Sequence, residues 1–171
     1  MLDQNQITQD LITWMQEFVE KPNPALGNWA PCPYARKARI DNQIRIVFSE
    51  VDHLWQTVQD CLPGLDQQEV AVVCFDHTQI HHVLLETLVG KWNLGLMSQN
   101  YVILEDHPDN VETVNGVHMN FGKCGLLVLQ KLDKLNRASD MLREKGYYDV
   151  WSPAELDQVV TWRYKSDSHN S

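Results

Sequence analysis

The first periodic stretch of the chain is helical. Ile7, Leu11, Trp14, Met15 and Phe18 recur every three or four positions between glutamines and acids, which predicts an amphipathic helix over 7–20. Pro22 and Pro24 end it. From there to about residue 42 the apolar positions follow neither period, and Gly27, Pro31 and Pro33 punctuate the segment. A loop this long inside a domain is functional or disordered as a rule. Trp29, Cys32 and Tyr34 argue for an ordered one.

Beyond this loop the pattern changes to short apolar runs separated by helical segments. Residues 44–48 form a β-branched run, and Ser49 followed by acids marks a helix start, with the helix reaching the Leu62, Pro63, Gly64, Leu65 turn. Residues 70–75 are apolar throughout, as in a strand buried on both faces, and lead through Asp76, His77 and Thr78 into a helix ending near Gly95. Residues 101–104 form a third strand. Residues 105–122, with Pro108, Asn115 and Gly116, read as a second long loop or an irregular hairpin.

A fourth apolar strand spans 124–130, and a helix from about Asp133 to Lys145 stops at Gly146. Ser152, Pro153 and Glu155 combine a cap, a first-turn proline and a capping-box acid, so a last helix runs from there to near Tyr164. Strands alternating with helices predict an α/β fold: a mixed, mainly parallel four-stranded sheet flanked by about five helices. The fourth strand is the candidate antiparallel member, because no clear helix connects it to the third. One domain is expected over 1–164, with a flexible polar tail over 165–171.

Composition narrows the class of partner. The net charge of −9 argues against nonspecific nucleic-acid binding, which needs a surplus of cations on some face. Arg36, Lys37, Arg39 and Arg45 nevertheless cluster, as do six cations between Lys123 and Lys145, and such a patch can hold a small anion. No apolar run is long enough to cross a bilayer, and Asp3 and Asp10 stand where a secretion signal would be basic. A cytoplasmic protein is expected. Cys32, Cys61, Cys74 and Cys124 form no C-x-x-C pair, so reduced thiols are expected too.

Ligands of open α/β sheets collect at the carboxyl ends of parallel strands. Two such ends are rich in polar residues: Asp76, His77, Thr78, Gln79, His81 and His82 after the second strand, and Glu105, Asp106, His107 and Asp109 after the third. If a helix begins at Asp76, His77 and His81 share one face, as two imidazoles on one metal ion require. His107 and Glu105 from the adjacent strand would complete a set suited to a divalent transition metal such as zinc or iron. The alternative for His81, on the stripe of Leu84, Leu85 and Leu88, is a buried histidine with a hydrogen-bond partner.

Cys32 is the second candidate. It stands between two prolines, and Arg36, Lys37 and Arg39 would lower its pKa toward a nucleophilic thiolate. Its alternative role is a small apolar plug under the loop. His118, Asn120 and Lys123 join the same sheet edge if the fourth strand is antiparallel. No G-x-G-x-x-G or G-x-x-x-x-G-K-[ST] phosphate loop occurs.

Cys32, Pro33, Tyr34 and Ala35, the basic stretch after them, Leu85 to Leu88, and His107, Pro108 and Asp109 together resemble an uncharacterised family of small bacterial proteins with a Leu-Cys-Pro-Phe-Ala motif. Here Pro31 replaces the leucine and Tyr34 the phenylalanine. The resemblance implies no activity, and at most that the Cys32 and His107 loops belong to one site.

Two readings follow. In the first, the chain is a small enzyme acting on a small anionic molecule. Cys32, His107 and Asp106 are then catalytic, Arg36, Lys37, Arg39, Trp29 and Tyr34 bind substrate, and His77, His81, His107 and Glu105 hold a metal. In the second it is a non-catalytic interaction domain, whose acidic surface and exposed aromatics bind a protein partner or a second copy of itself.

Overall fold

The computed structural model of the chain describes residues 1–164. Six α-helices are present among them, together with a four-stranded and a two-stranded sheet. The tail expected over 165–171 lies outside the described residues.

Helix α1 (Gln4–Trp14) is capped by Asp3, whose carboxylate accepts from the Gln6 N–H at 3.1 Å, and it continues as a π-helical turn over Met15–Val19. The supposedly irregular segment after it contains a short helix, α2 (Ala35–Ile40). Strand β1 (Ile44–Phe48) passes through α3 (Leu54–Cys61) to β2 (Val70–Phe75), and α4 (His82–Met97) leads to β3 (Tyr101–Asp106). The irregular hairpin is real: β4 (Thr113–Val114) and β5 (Val117–His118) pair around Asn115 and Gly116, both at positive φ (47° and 79°). An Asn-Gly pair suits that turn. Strand β6 (Gly125–Lys131), α5 (Leu132–Glu144) and α6 (Pro153–Val159) complete the order, and α6 starts on the expected Ser152–Glu155 capping box.

The sheet order is β1-β2-β6-β3. β1 and β2 pair in parallel, while β6 is antiparallel to both β2 and β3. The sheet is therefore mixed but not mainly parallel, which corrects the expectation. The physical reason is placement: three strands do point the same way, but β6 returns through the hairpin and inserts between β2 and β3, removing a parallel pairing and creating two antiparallel ones. The carboxyl ends of β1, β2 and β3 and the start of β6 consequently share one edge.

Alternate residues of the central strands serve opposite faces. Val73, Phe75, Leu127, Leu129 and Ile103 pack with Leu54, Val58, Leu85 and Val89 from α3 and α4, where the Trp55 and Trp92 rings stack at 5.1 Å. Val72, Cys74 and Leu126 pack with Ile7 and Leu11 of α1. That division leaves the outer side of β3 as a sheet edge between α4 and the C-terminal helices.

Candidate functional site

The sheet edge at the carboxyl ends brings the imidazoles together as the antiparallel β6 requires. The ring of His107 lies 5.5 Å from that of His77, at right angles, and 5.9 Å from that of His82. Their chemistry differs from the expected one. His107 is 3% exposed. Its Nε2 lies 2.9 Å from the carbonyl of Ile80 and 3.2 Å from that of His77, and its Nδ1 accepts from the Asp109 N–H at 3.1 Å. These partners set the Nε2–H tautomer and occupy both nitrogens. A ring so committed has no lone pair for a metal and no free nitrogen for proton transfer.

The spacing of His77 and His81 fails for a related reason. His77 sits in a single 3₁₀ turn (His77–Gln79), and α4 begins only at His82. His81 is the N-cap: its Nδ1 accepts from the Val83 N–H at 3.2 Å, the service usually done by Ser or Asp. The two rings do not share a helical face. Among the described residues no three His, Cys, Asp or Glu side chains are grouped as metal ligands.

Asp106 is likewise a structural group. One carboxylate oxygen accepts from Asn120 Nδ2 at 2.8 Å and the other from the Phe121 N–H at 2.9 Å. Burial raises its pKa, and these two hydrogen bonds, then His118 and His107, oppose the rise. Asn120 also reaches the carbonyls of His107 and Asn110 and accepts from the Glu112 N–H at 2.8 Å. The network ties the hairpin to the end of β3.

The Cys32 loop stands apart. No hydrogen bond, ion pair or ring contact joins Cys32 to His77, His81 or His107 among the described residues. The Cys32 N–H donates to the Val19 carbonyl, and the hydroxyl of Tyr147 donates to that of Pro31. The residue keeps exposed surface, yet its thiol is pushed above the ordinary value, first by desolvation, with the Tyr34 and Ala35 backbone opposing and Glu20 adding to the rise. Exposure describes the whole residue; desolvation acts on the sulfur. Two of the three cations expected to lower that pKa are occupied elsewhere. Arg39 makes a bidentate pair with Glu20 at 2.7 and 2.9 Å, and Lys37 pairs with Asp41, while Arg36 is exposed. Trp29 packs edge-on against Tyr147 at 5.9 Å, and Tyr34, 39% exposed, precedes α2.

A different site lies along the free side of β3. A cleft of about 560 Å³ runs between α4, the β3 edge and the segment around Trp162. Asn93 closes its floor: its side-chain amide donates to the Ile103 carbonyl at 3.0 Å and accepts from the Ile103 N–H at 2.9 Å, pairing one peptide of the open edge as a neighbouring strand would. The walls are apolar, and Glu86, Glu105 and Glu112 line them. Burial holds the carboxyls of Glu105 and Glu112 up at about 7, with Glu86 adding to both, Glu112 to Glu105, and Asp106 to Glu112. Glu105 Oε2 is sealed from solvent and has no hydrogen-bond partner among the described residues.

The chain matches no protein-family model, no curated protein and no solved structure.

Of the predicted residues, only Glu105 lines the cleft. Glu86, Glu112, Asn93 and Trp162 were not singled out in the sequence, since α4, the loop before β4 and the segment around Trp162 supply them from distant parts of the chain. One signal was present: Glu105 is a carboxylate directly after the apolar run 101–104, within the same strand. A second cleft of about 440 Å³ opens at the ends of β1 and β2, near Ser49 and Asp76. Two of its polar groups are already engaged, Asp76 with the Thr78 N–H and hydroxyl at 3.0 and 2.7 Å, and Ser49 with Thr57 at 2.8 Å.

Proposed function

We propose that the chain is a small-molecule enzyme of acid–base type whose site is the cleft beside β3, with Glu105 and Glu112 as the proton-exchanging groups. The observation that carries the reading is the meeting of these two carboxyls in one apolar cleft. The volume falls within the range of small-molecule sites, roughly 300–1,000 Å³. A carboxyl poised near the working pH is effective both as acid and as base, and apolar walls with like charges nearby are the usual means of poising it. The reading replaces Cys32, Asp106 and His107 as catalytic groups and does not call for a metal. A reducing, cytoplasmic setting belongs to the same proposal, supported by four free cysteines and by the lack, among the described residues, of a helix long and apolar enough to cross a membrane.

The test is a fragment screen by amide and indole NMR on the whole chain. Hits should move Asn93, Glu105, Glu112 and Trp162, and Gly90→Leu should abolish them, since Gly90 lines the cleft and an added Cβ there meets nothing within 4 Å among the described residues, which leaves the longer side chain room to fill it. Hits that all map elsewhere overturn the reading.

A second reading has its own support. Val83, Leu84 and Leu94 of α4 are 54%, 53% and 81% exposed, so this helix offers apolar surface to a protein partner. Concentration-dependent mass in solution, abolished by Leu84→Lys, would favour it.

A further inference from the structure

We infer that the occupant of the β3 cleft is a hydrophobic amine: an apolar body against the cleft walls with its protonated ammonium between Glu105, Glu112 and Glu86. This rests on reading the cleft as a small-molecule site, and it reverses the charge expected from the sequence.

Three independent features lead to it. The first is charge. Among the described residues three carboxyls line the cleft and no Lys or Arg does. An anionic ligand would be repelled, and the basic groups expected to attract one are paired on another part of the surface, Arg39 with Glu20 and Lys37 with Asp41. The second is the orphan acceptor. A buried oxygen with no donor costs free energy, and Glu105 Oε2 is such an atom among the described residues, so its half-buried carboxylate gains by turning toward a donor in the cleft. An ammonium supplies three donors in one compact group. The third is the wall. The indole N–H of Trp162 already donates to the Gln158 carbonyl at 2.9 Å, so the ring has no polar demand left and can offer its face to an alkyl chain or a cation. Leu94, 81% exposed at the lip, extends the apolar surface outward. A hydrated metal ion would satisfy the carboxyls but gain nothing from this wall, whereas an amphipathic amine matches both halves.

The pH behaviour follows from linkage. An ammonium favours the ionised form of both carboxyls, so binding near neutral pH expels protons. Affinity therefore rises as pH increases through about 7, where Glu105 and Glu112 titrate, and falls again once the amine itself loses its proton.

The experiment compares 2-phenylethylamine, 2-phenylethanol and 3-phenylpropanoate on the full chain, by calorimetry in two buffers of different ionisation enthalpy and by NMR. The amine should bind in the cleft at least ~10-fold more tightly than the alcohol, a difference of about 1.4 kcal/mol. It should release protons at pH 7, and the carboxylate should not bind. Glu105→Gln and Glu112→Gln, near-isosteric and without charge, should each weaken the amine and leave the alcohol unchanged, while Gly90→Leu should abolish both. Alcohol and amine binding alike, with the same cleft resonances moving, overturns the amine and leaves the small-molecule reading intact. No probe of any charge moving the cleft overturns both. Cleft shifts that depend on protein concentration alone identify a second copy as the occupant and also overturn the inference.

Discussion

His107 on the loop leaving β3 hydrogen-bonds the carbonyl of Ile80 on the loop leaving β2, with 2.9 Å between nitrogen and oxygen. The same ring accepts from the Asp109 N–H, so one side chain fixes the tautomer, closes its own turn and ties together two loops that β6 separates in the sheet.

This makes His107 a stability residue. His107→Ala should leave the Ile80 carbonyl without its partner in a buried place and undo the turn held by the Asp109 N–H, costing about 2 kcal/mol. In a chain of this length that is a fall in Tm of roughly 4–8 °C. Urea and thermal unfolding measure it. A change within experimental error would show that the ring is not the tie described.

Asn93 is the corresponding device at the other edge. Asn93→Ala removes both partners of the Ile103 peptide, and should destabilise by about 1–3 kcal/mol while uncovering strand edge. Asn93→Asp is the sharper test, because an ionised carboxylate still accepts from the Ile103 N–H but cannot donate to its carbonyl. Its stability should recover as the pH falls and the group regains a proton. Denaturant midpoints of the two variants at pH 4.5 and 7.5 decide it, and equal pH profiles would sink the argument.

How much of this was legible follows from what each element owes to its own residues. The apolar runs at Val70–Phe75 and Gly125–Lys131 announced themselves because a strand buried on both faces must be apolar throughout. The insertion of β6 between β2 and β3 did not, because local pattern carries no information on which edge a returning strand joins. Helix α2 was hidden by its composition: Ala35 and Ala38 are its small inward positions, and Arg and Lys fill the rest. The start of α4 was misplaced because a histidine, His81, serves as its cap. The imidazoles were found but misassigned, since the backbone partners that occupy His107 come from loop conformation. The cleft stayed invisible because Glu86, Glu105, Glu112 and Trp162 lie on separate elements.

The acidic cleft sets a pH dependence of stability. Glu105 and Glu112 have folded pKa values of about 7, raised by burial from the ordinary 4.5. The folded chain therefore holds more protons than the unfolded one between those values, and stability falls as pH rises through this window, levelling off above 7. These carboxyls are partly solvated, so about 1 kcal/mol each is a reasonable scale after screening. Urea midpoints should be lower at pH 8 than at pH 5.5. Glu105→Gln and Glu112→Gln should each raise the pH 8 midpoint and flatten the slope. A midpoint that climbs from pH 5.5 to 8 and is unmoved by either substitution would contradict the assignment.

Two glycines should respond to alanine with opposite signs. Gly90 lies inside α4 with nothing within 4 Å of an added Cβ, so Gly90→Ala gains helix propensity without a clash and should stabilise by about 0.5–1 kcal/mol. Gly125 faces Phe75 across the β2–β6 pair, and an added Cβ would stand 2.2 Å from the Phe75 ring. Phe75 is fully buried and cannot swing away, so Gly125→Ala should destabilise by about 1–3 kcal/mol through overpacking. The double variant Gly125→Ala with Phe75→Leu tests the cause. Relief of the clash should make the two substitutions together less damaging than their separate costs added, whereas simple additivity in unfolding free energies would show that Gly125 matters for some reason other than the ring above it.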